Sequence, residues 1–360
     1  MILFAIRRAI LAIPVLFAIL VVVFILARAV PGDPCTAILG EKATPEVCAR
    51  FMEENGFNDP IYVQFLIYMQ NILKGDLGDS IRFGRPVTLM LAERLPMTIE
   101  LAIASMSLAL IVGIPMGIIS ALRRNSSIDV VTMMGANLGV SLPVFFLGLL
   151  LIYFFAVFLK DTPFVLPPSG RLSPGVSPIP FFEYYDLAPA EEGTAKFLIY
   201  LFISKLYIFN SIITGDWEVL KDASRHLILP AIALATIPLA IIARMTRSSM
   251  LEILGLDYIR TAKAKGLHYR AVVMKHTFRN ALLPIVTIAG LQLAGILGGA
   301  VLTETIFGLP GVGLSVFEAI TARDFPVIQG FVIVIAFIYV VMNLFVDLSY
   351  GVLDPRIRLD

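Results

Sequence analysis

Several apolar runs in this sequence are long enough to cross a lipid bilayer. About 20 helical residues span the hydrocarbon layer, because each residue advances a helix by about 1.5 Å through a core of roughly 30 Å. The runs cover residues 9–29, 97–122, 128–159, 226–245, 281–303 and 327–350. Only 15% of the residues are charged, whereas about a quarter are charged in soluble domains. The sequence therefore predicts an all-α integral membrane protein with six transmembrane helices.

The distribution of Lys and Arg predicts how these helices are oriented, because short basic loops remain in the cytoplasm. The segment from Glu252 to Pro284 carries six cations against two acids. Further pairs of Arg residues stand at 7–8, at 123–124 and at 356 and 358. The first apolar run is too long for a signal peptide and no A-x-A-like site follows it, so residues 1–30 are predicted to be an uncleaved span. Both termini are then cytoplasmic.

Two long segments are expected on the outer side of the membrane. Residues 31–96 contain more acids than bases, and residues 160–225 are rich in proline up to Pro189. Residues 197–213 are apolar enough for a span, but a crossing there would move the basic loop at 252–284 to the outer side. We therefore interpret 197–213 as an extracytoplasmic helix lying on or beside the bundle. Cys35 and Cys48 both fall in the first outer segment, where they are either joined by a disulfide or present as two free thiols.

The sequence lacks several kinds of chemical site. No G-x-x-x-x-G-K-[ST] motif is present, and G-V-G-L-S at 311–315 has no lysine, so the chain is not expected to bind a nucleotide or to be an enzyme in its own right. The three histidines lack metal-ligand spacing, and we predict no metal site. A net charge of +1 argues against a nucleic-acid partner.

The basic loop itself has the signals of one short helix. Gly255 interrupts a helical run, Asp257 is a candidate N-cap, and Gly266 is placed as the residue just beyond the C-terminus. A helix over Tyr258–Lys265 is too short to be stable alone in water, so other contacts must hold it. Either it presents Tyr258, Ile259 and Ala262 beside its cations to a soluble partner, or the loop is a solvated membrane-surface segment.

Two motifs in this loop carry a family resemblance. D-Y-I-R-T-A-K-A-K-G at 257–266, followed by H-x-x-R-N-A-L-L-P at 276–284, resembles the cytoplasmic coupling loop of dipeptide/oligopeptide/nickel ABC importer permeases. In the wider family's E-A-A motif only Ala262 matches, and the I-x-L-P positions also differ. P-G-D-P at 31–34, G-D-L-G-D-S at 75–80 and E-R-L-P-M-T-I-E-L at 93–101 resemble the same branch, so the likeness covers nearly the whole chain.

The resemblance implies a type I permease core over residues 97–355, preceded by the N-terminal span and an extracytoplasmic scoop at 31–96. It implies insertion of 160–225 on the outer side and ATPase coupling through the loop at 252–280. The coupling residues it marks are Asp257, Tyr258, Ile259, Arg260, Thr261, Ala262, Lys263, Lys265 and Gly266. The implied partners are a second permease subunit in a heterodimer, two ATPase subunits that hold ATP and Mg, and an extracytoplasmic solute-binding protein, in a prokaryotic cell membrane.

The substrate expected from the resemblance is a di- or oligopeptide, with oligosaccharides and nickel chelates as alternatives. Polar or small residues within the spans are candidates for lining the pathway, or else form interhelical hydrogen bonds. They are Asn137, Ser141, Gln292, Gly295 and Asn343. Pro143 kinks its span, either at the pathway or for packing. An ion-coupled carrier and a membrane-embedded enzyme or scaffold are the rival functions. Few ionisable groups lie within the spans and no inverted repeat is evident, which disfavours both.

Overall fold

The computed structural model describes residues 2–29, 35, 43–54, 56, 58–298 and 300–353. These residues form helices and connecting turns, without a strand. The helices are α1 (Ile2–Ala29), α2 (Pro45–Glu54), α3 (Ile61–Leu73), α4 (Val87–Leu122), α5 (Ser127–Ser141), α6 (Val144–Phe158), α7 (Phe181–Tyr184), α8 (Ala195–Lys205), α9 (Tyr207–Thr214), α10 (Trp217–Leu254), α11 (Asp257–Ala264), α12 (Tyr269–Leu297), α13 (Val301–Ile306), α14 (Val312–Ala322) and α15 (Phe325–Leu353).

Five of the described helices, α1, α4, α10, α12 and α15, are long and apolar enough to cross a membrane. Two further pairs, α5–α6 and α8–α9, pass the same test only if each bent pair is taken as one span. The expectation of an all-α protein with multiple spans is therefore confirmed. Arg356, Arg358, Gly299 and the motif at 31–34 lie outside the described residues.

The centre of the bundle is the crossing of α4 and α10. Small residues let the two backbones approach, since a Cβ on Gly117 would stand 2.5 Å from the Cβ of Thr246. A Cβ on Gly113 would stand 2.9 Å from the main-chain oxygen of Leu239. In a membrane, where apolar surface gains little by leaving lipid, such close packing is what holds helices together.

The helices extend beyond the apolar runs. α4 begins at Val87 rather than near residue 97, because its first turns are buried against α15, where Phe331 is fully covered. α10 covers 217–254 rather than 226–245, and α12 begins at Tyr269 rather than near residue 281. Hydrophobicity marks the segment that matches the bilayer, whereas a helix continues for as long as packing supports it.

The bundle has two distinct ends. We call the end that carries Arg123, Arg124 and residues 255–279 the basic end, and the opposite one the far end. Arg8 near the start of α1 pairs with Asp347 near the end of α15 at 3.2 Å, so these two helices are antiparallel. The first turns of α1 and the last turns of α15 thus share one end of the bundle.

The helix predicted over 128–159 is broken rather than kinked. α5 ends at Ser141, Leu142 is extended, and α6 starts after Pro143 with its axis turned by 96°. Proline disfavours helical geometry in the residue before it, so the helix stops there. The pair still connects the two ends of the bundle, since Asp129 contacts Arg247 at the basic end and Gly148 packs against the far-end loop that follows α13.

The pair α8–α9 behaves differently. Its two helices are bent by 90°, and both outer ends contact the same preceding stretch, 179–188. Lys196 in α8 donates to the main-chain oxygen of Ala188 at 3.0 Å, and Tyr185 donates to that of Ile213 in α9 at 2.7 Å. The chain therefore returns to the stretch from which it came, so both ends of the pair lie together. The single helix predicted over 197–213 is two helices in the structure, and its extracytoplasmic location stays a prediction.

Candidate functional site

The short helix α11 at the basic end occupies Asp257–Ala264, one residue earlier than predicted. Its N-cap is Leu256, which is extended and makes no side-chain capping bond, so the assignment of Asp257 as N-cap is wrong. Asp257 instead lies in the first turn, where a carboxylate favours the positive end of the helix dipole. Its contact with Arg260 at 3.3 Å is between highly exposed side chains and contributes little.

Gly266 ends the helix as expected. Its φ of +70° lies in the left-handed region, and its N–H donates to the oxygen of Lys263 at 3.0 Å. The N–H of Leu267 donates to the oxygen of Ala262 at 3.3 Å. These two bonds form a Schellman motif, which satisfies carbonyls that the helix end leaves without partners.

The apolar face of α11 is turned inward rather than toward a partner. Ile259 is fully buried and Ala262 is 7% exposed, and both pack with Val272 against the end of α10. The prediction that these two residues are presented to another protein is therefore wrong. An isolated helix of eight residues is unstable in water, so it forms here because its own chain provides the packing.

A second set of contacts joins α11 to the first turns of α12. The hydroxyl of Tyr258 accepts from Asn280 at 3.0 Å, and Asn280 also donates to the oxygen of His276 at 2.8 Å. α12 is π-helical over Val272–Phe278, just before Asn280. Within this segment the buried hydroxyl of Thr277 donates to the oxygen of Val272 at 3.0 Å. Sequence reasoning did not foresee the π-helical segment. It makes α11 and the start of α12 one packed unit.

The exposed surface of this unit combines cations with large apolar side chains. We call it the loop surface. It contains Leu256, Tyr258, Arg260, Thr261, Lys263, Lys265, Leu267 and Tyr269. Leu256, Leu267 and Tyr269 were not among the predicted site residues, and their exposure beside a short capped helix is the property that marks them. Exposed apolar side chains rimmed by charge are typical of a protein interface.

An ion pair joins three helices at the basic end. Asp129 at the start of α5 accepts two bonds from Arg247 of α10, each 2.8 Å long. It also accepts from Ser120 of α4 and from the main chain of Asn125. A bidentate pair fixes orientation as well as distance. Sequence reasoning missed this pair, because partners 118 positions apart leave no local pattern.

Buried carboxylates fix the loops at the far end. Glu304 accepts from Thr98 of α4 at 2.7 Å and from the main chain of Leu314 at 2.8 Å. Burial raises the pKa of Glu304, against the opposing effect of these hydrogen bonds. A Cβ on Gly311 would come within 2.6 Å of the Glu304 carboxylate. Asp324 similarly accepts from the hydroxyl of Ser80 and from the main-chain N–H groups of Ile81 and Arg82, in the turn that follows Ser80.

The predicted pathway residues do not all come together. Asn137 and Ser141 are exposed on α5, where Arg244 of α10 donates to Asn137 at 3.4 Å. On α12, Gln292 is half-buried, and Gly295 is exposed with no atom within 4 Å of the position of a Cβ. Asn343 instead lines a groove between α1 and α15 with Arg8 and Asp347.

The two cysteines are joined in the structure. Cys35 and Cys48 form a disulfide with their Cα atoms 5.5 Å apart, across 13 positions of the sequence. Two carboxylates close to span ends are paired within the chain, since Asp347 contacts Arg8 and Glu304 accepts from Thr98. Among the residues that the structure describes, no group of three His, Cys, Asp or Glu side chains is placed to hold a metal ion.

Comparison with known proteins identifies the family. The sequence model of one protein family, the binding-protein-dependent transport system inner membrane component, matches residues 113–359. The model of the N-terminal part of such membrane components matches residues 1–102. The chain belongs to this family. It is a multi-pass inner-membrane permease component and not itself an enzyme, and membership implies an ATPase and a solute-binding protein as partners.

Relatives match over the full length. The dipeptide transport system permease protein DppB of Alkalihalophilus pseudofirmus is 45% identical over 99% of this chain and 100% of its own. That of Escherichia coli K12 is 41% identical over 99% of this chain and 98% of its own. The di/tripeptide transport system permease protein DppB of Pseudomonas aeruginosa is 40% identical over the same shares. The resemblance recognised in the loop at 257–284 is therefore confirmed.

Proposed function

We propose that this chain forms half of the translocation pathway of an ATP-driven importer for di- and oligopeptides. The observation that carries the substrate class is the likeness over 99% of the chain to permeases named for dipeptides and tripeptides. Selectivity rests largely on the solute-binding protein, which delivers the ligand to the far end. The permease then exposes its pathway alternately to the two sides.

The loop surface is the proposed contact with an ATPase subunit. Tyr258, Leu267 and Tyr269 provide apolar contact area, and the cations around them select an acidic rim. Movement of an ATPase would pass through Ile259 and Val272 into α12, because these side chains are buried against each other. Tyr258 has a second role on this view, since its bonds to the 276–280 turn keep α11 from tilting independently.

A second, similar permease subunit is proposed to cover the exposed polar face of α5. Asn137, Ser141 and Arg244 lie together there, on helices of a membrane bundle. Polar groups at this depth are costly against lipid and normally face protein or a water-filled cavity. Their position, together with exposed Gly295 and half-buried Gln292 on α12, supports a pathway between two subunits. Asn343 lies in the groove between α1 and α15 and is not assigned to this pathway.

Reconstitution tests the proposed function. The chain would be assembled with its second permease subunit, the ATPase subunits and the binding protein in proteoliposomes. We expect ATP-dependent uptake of a labelled dipeptide, and none when ATP is replaced by a non-hydrolysable analogue. Labelled oligosaccharide and nickel chelate serve as competing substrates. Uptake of either of those with none of the peptide would overturn the substrate class, and uptake driven by an ion gradient without ATP would overturn the mechanism.

A further inference from the structure

A cavity of about 200 Å³ at the far end lies apart from the proposed pathway and the loop surface. It is bounded by the end of α1, by α3, by the turn at 76–81 and by the start of α15. Its lining mixes charged and polar groups with apolar ones. This combination is typical of a ligand pocket.

Three buried hydrogen-bond donors in this lining have no partner. They are Arg28 Nη1, the Tyr68 hydroxyl and Gln329 Nε2, and within the described part of the chain only Thr246 has another such side-chain atom. Gln329 is buried, with 5% of its surface exposed. A buried donor that meets no acceptor is costly, because it has given up its hydrogen bond to water without gaining another. Three of them at one cavity therefore provide donors for an acceptor group that binds there.

The donors are held in place for such an acceptor. Arg28 lies over the ring of Phe24, 3.6 Å from its centroid, and donates through Nε to Gln64 at 2.8 Å, which leaves Nη1 available. Tyr68 stacks on Phe24 with 5.7 Å between ring centroids. Burial raises the pKa of Tyr68, against the influence of Arg28, so the hydroxyl keeps its proton and can donate.

Carboxylates stand at the mouth of the cavity. Asp59 and Asp76 both line it and are exposed, and Asp76 accepts from the main chain of Gly78 at 2.8 Å. A ligand that satisfied the buried donors with an anionic group would therefore meet negative charge nearer the solvent. That order of charges fits a zwitterion whose anionic group lies deep and whose amine lies at the mouth.

The position of the cavity suggests where such a ligand comes from. Arg28 is two residues beyond the apolar span of α1, which ends at Leu26, at the depth of lipid headgroups. Neighbouring α3 exposes Ile61, Leu66 and Leu73, which would contact acyl chains. We propose that the cavity binds a phosphate or carboxylate group on Arg28, Tyr68 and Gln329, with an attached primary amine facing Asp59 and Asp76. A phosphoethanolamine headgroup has this chemistry, and so does a free amino-acid zwitterion.

The test uses the complete transporter in nanodiscs of phosphatidylcholine alone or with phosphatidylethanolamine. We expect retained phosphatidylethanolamine by native mass spectrometry and a higher melting temperature in its presence. Soluble phosphoethanolamine, glycine and inorganic phosphate are added separately to the phosphatidylcholine discs. Stabilisation by the lipid alone identifies a headgroup, and stabilisation by the soluble zwitterions identifies a solute. Equal stabilisation by inorganic phosphate would overturn the role of the amine.

Variants make the proposal falsifiable without unfolding the protein. Tyr68→Phe removes a hydroxyl that has no protein partner, so the fold should tolerate it, and ligand binding should weaken by about tenfold, which corresponds to one hydrogen bond. Gln329→Met should act similarly. Tyr62→Phe on the exposed side of α3 is the matched control and should bind as wild type does. Unchanged binding in both cavity variants, or no preference among the disc compositions and soluble additives, would overturn the site.

Discussion

At position 266 the backbone φ angle determines which residue types are tolerated. The position has φ of +70°, and a Cβ there would meet nothing within 4 Å, so the requirement for glycine is conformational rather than steric. A β-branched residue is strained in this region by about 1–2 kcal/mol, whereas Asn adopts it more readily. The same turn sets the Schellman bonds and the exposure of Leu267.

Gly266→Val is therefore expected to loosen the end of α11 and to uncouple transport from ATP hydrolysis. We expect uptake to fall severalfold and the ATPase rate to stop responding to loaded binding protein, with assembly of the complex retained. Gly266→Asn should preserve most of the coupling. Gly255→Ala is a further control, because Gly255 has ordinary helical geometry. Wild-type uptake and ATPase rates in Gly266→Val would contradict a mechanical role for this turn.

Within the candidate site, sequence reasoning predicted the turn at Gly266 and the exposed cations but misjudged three residues, Asp257, Ile259 and Ala262. A glycine after a capped helix has a conformational meaning that is independent of tertiary structure, and so it could be predicted. The burial of Ile259 depends on Val272, whose position follows from a π-helical segment that has no sequence signature. Leu256 rather than Asp257 is the N-cap because the cap is set by extended backbone, and side-chain preference is too weak to resolve a shift of one residue.

Among helices, the decisive contact is the crossing of α4 and α10. Gly113 and Gly117 form a G-x-x-x-G pair on α4, and a Cβ on either would collide with α10. A second G-x-x-x-G pair occurs in the sequence at 295–299, but Gly295 on α12 faces open space and Gly299 lies outside the described residues. The motif alone does not say which face of a helix meets a neighbour. Spans could be predicted from hydrophobicity, but their contacts could not.

Gly117→Ala is expected to destabilise the assembled protein. The added methyl would lie 2.6 Å from the oxygen of Ala243 and 2.5 Å from the Cβ of Thr246, so the helices must separate along this crossing. Overpacking of this kind costs about 1–3 kcal/mol. We expect a melting temperature several degrees lower in detergent. Gly135→Ala on α5 is the matched control, since its nearest neighbour would be 3.9 Å away. Equal melting temperatures in the two variants would refute close packing at Gly117.

For the whole molecule, the two bent helix pairs determine how many times the chain crosses the membrane. The structure has five clear spans and up to seven if both pairs cross. Contacts at both ends of the bundle favour a crossing by α5–α6, whereas the return of α8–α9 to residues 179–188 favours a re-entrant segment. With six crossings both termini would lie on one side, and the positive-inside rule predicts that the basic end, with its Lys and Arg residues, faces the cytoplasm.

Cysteine labelling across each bent pair tests this arrangement directly. Cys35 and Cys48 are first replaced by Ser, and single cysteines are then introduced one at a time. Arg124→Cys and Asp161→Cys flank the pair α5–α6, and Glu191→Cys and Glu218→Cys flank the pair α8–α9. All four of these side chains are exposed. A membrane-impermeant maleimide added to intact cells should label positions 161, 191 and 218, and should reach 124 only after permeabilisation. Thr261→Cys on α11 should behave like position 124, because both lie at the basic end.

Each alternative topology leaves a different labelling pattern. If α8–α9 crossed the membrane, positions 191 and 218 would be labelled from opposite sides and the chain would have seven spans. If α5–α6 did not cross, 124 and 161 would be labelled from the same side. If positions 124 and 261 were labelled in intact cells while 161, 191 and 218 were protected, the molecule would have the opposite orientation in the membrane. The loop surface would then face away from the compartment that holds ATP, and the proposed coupling through α11 would fail with it.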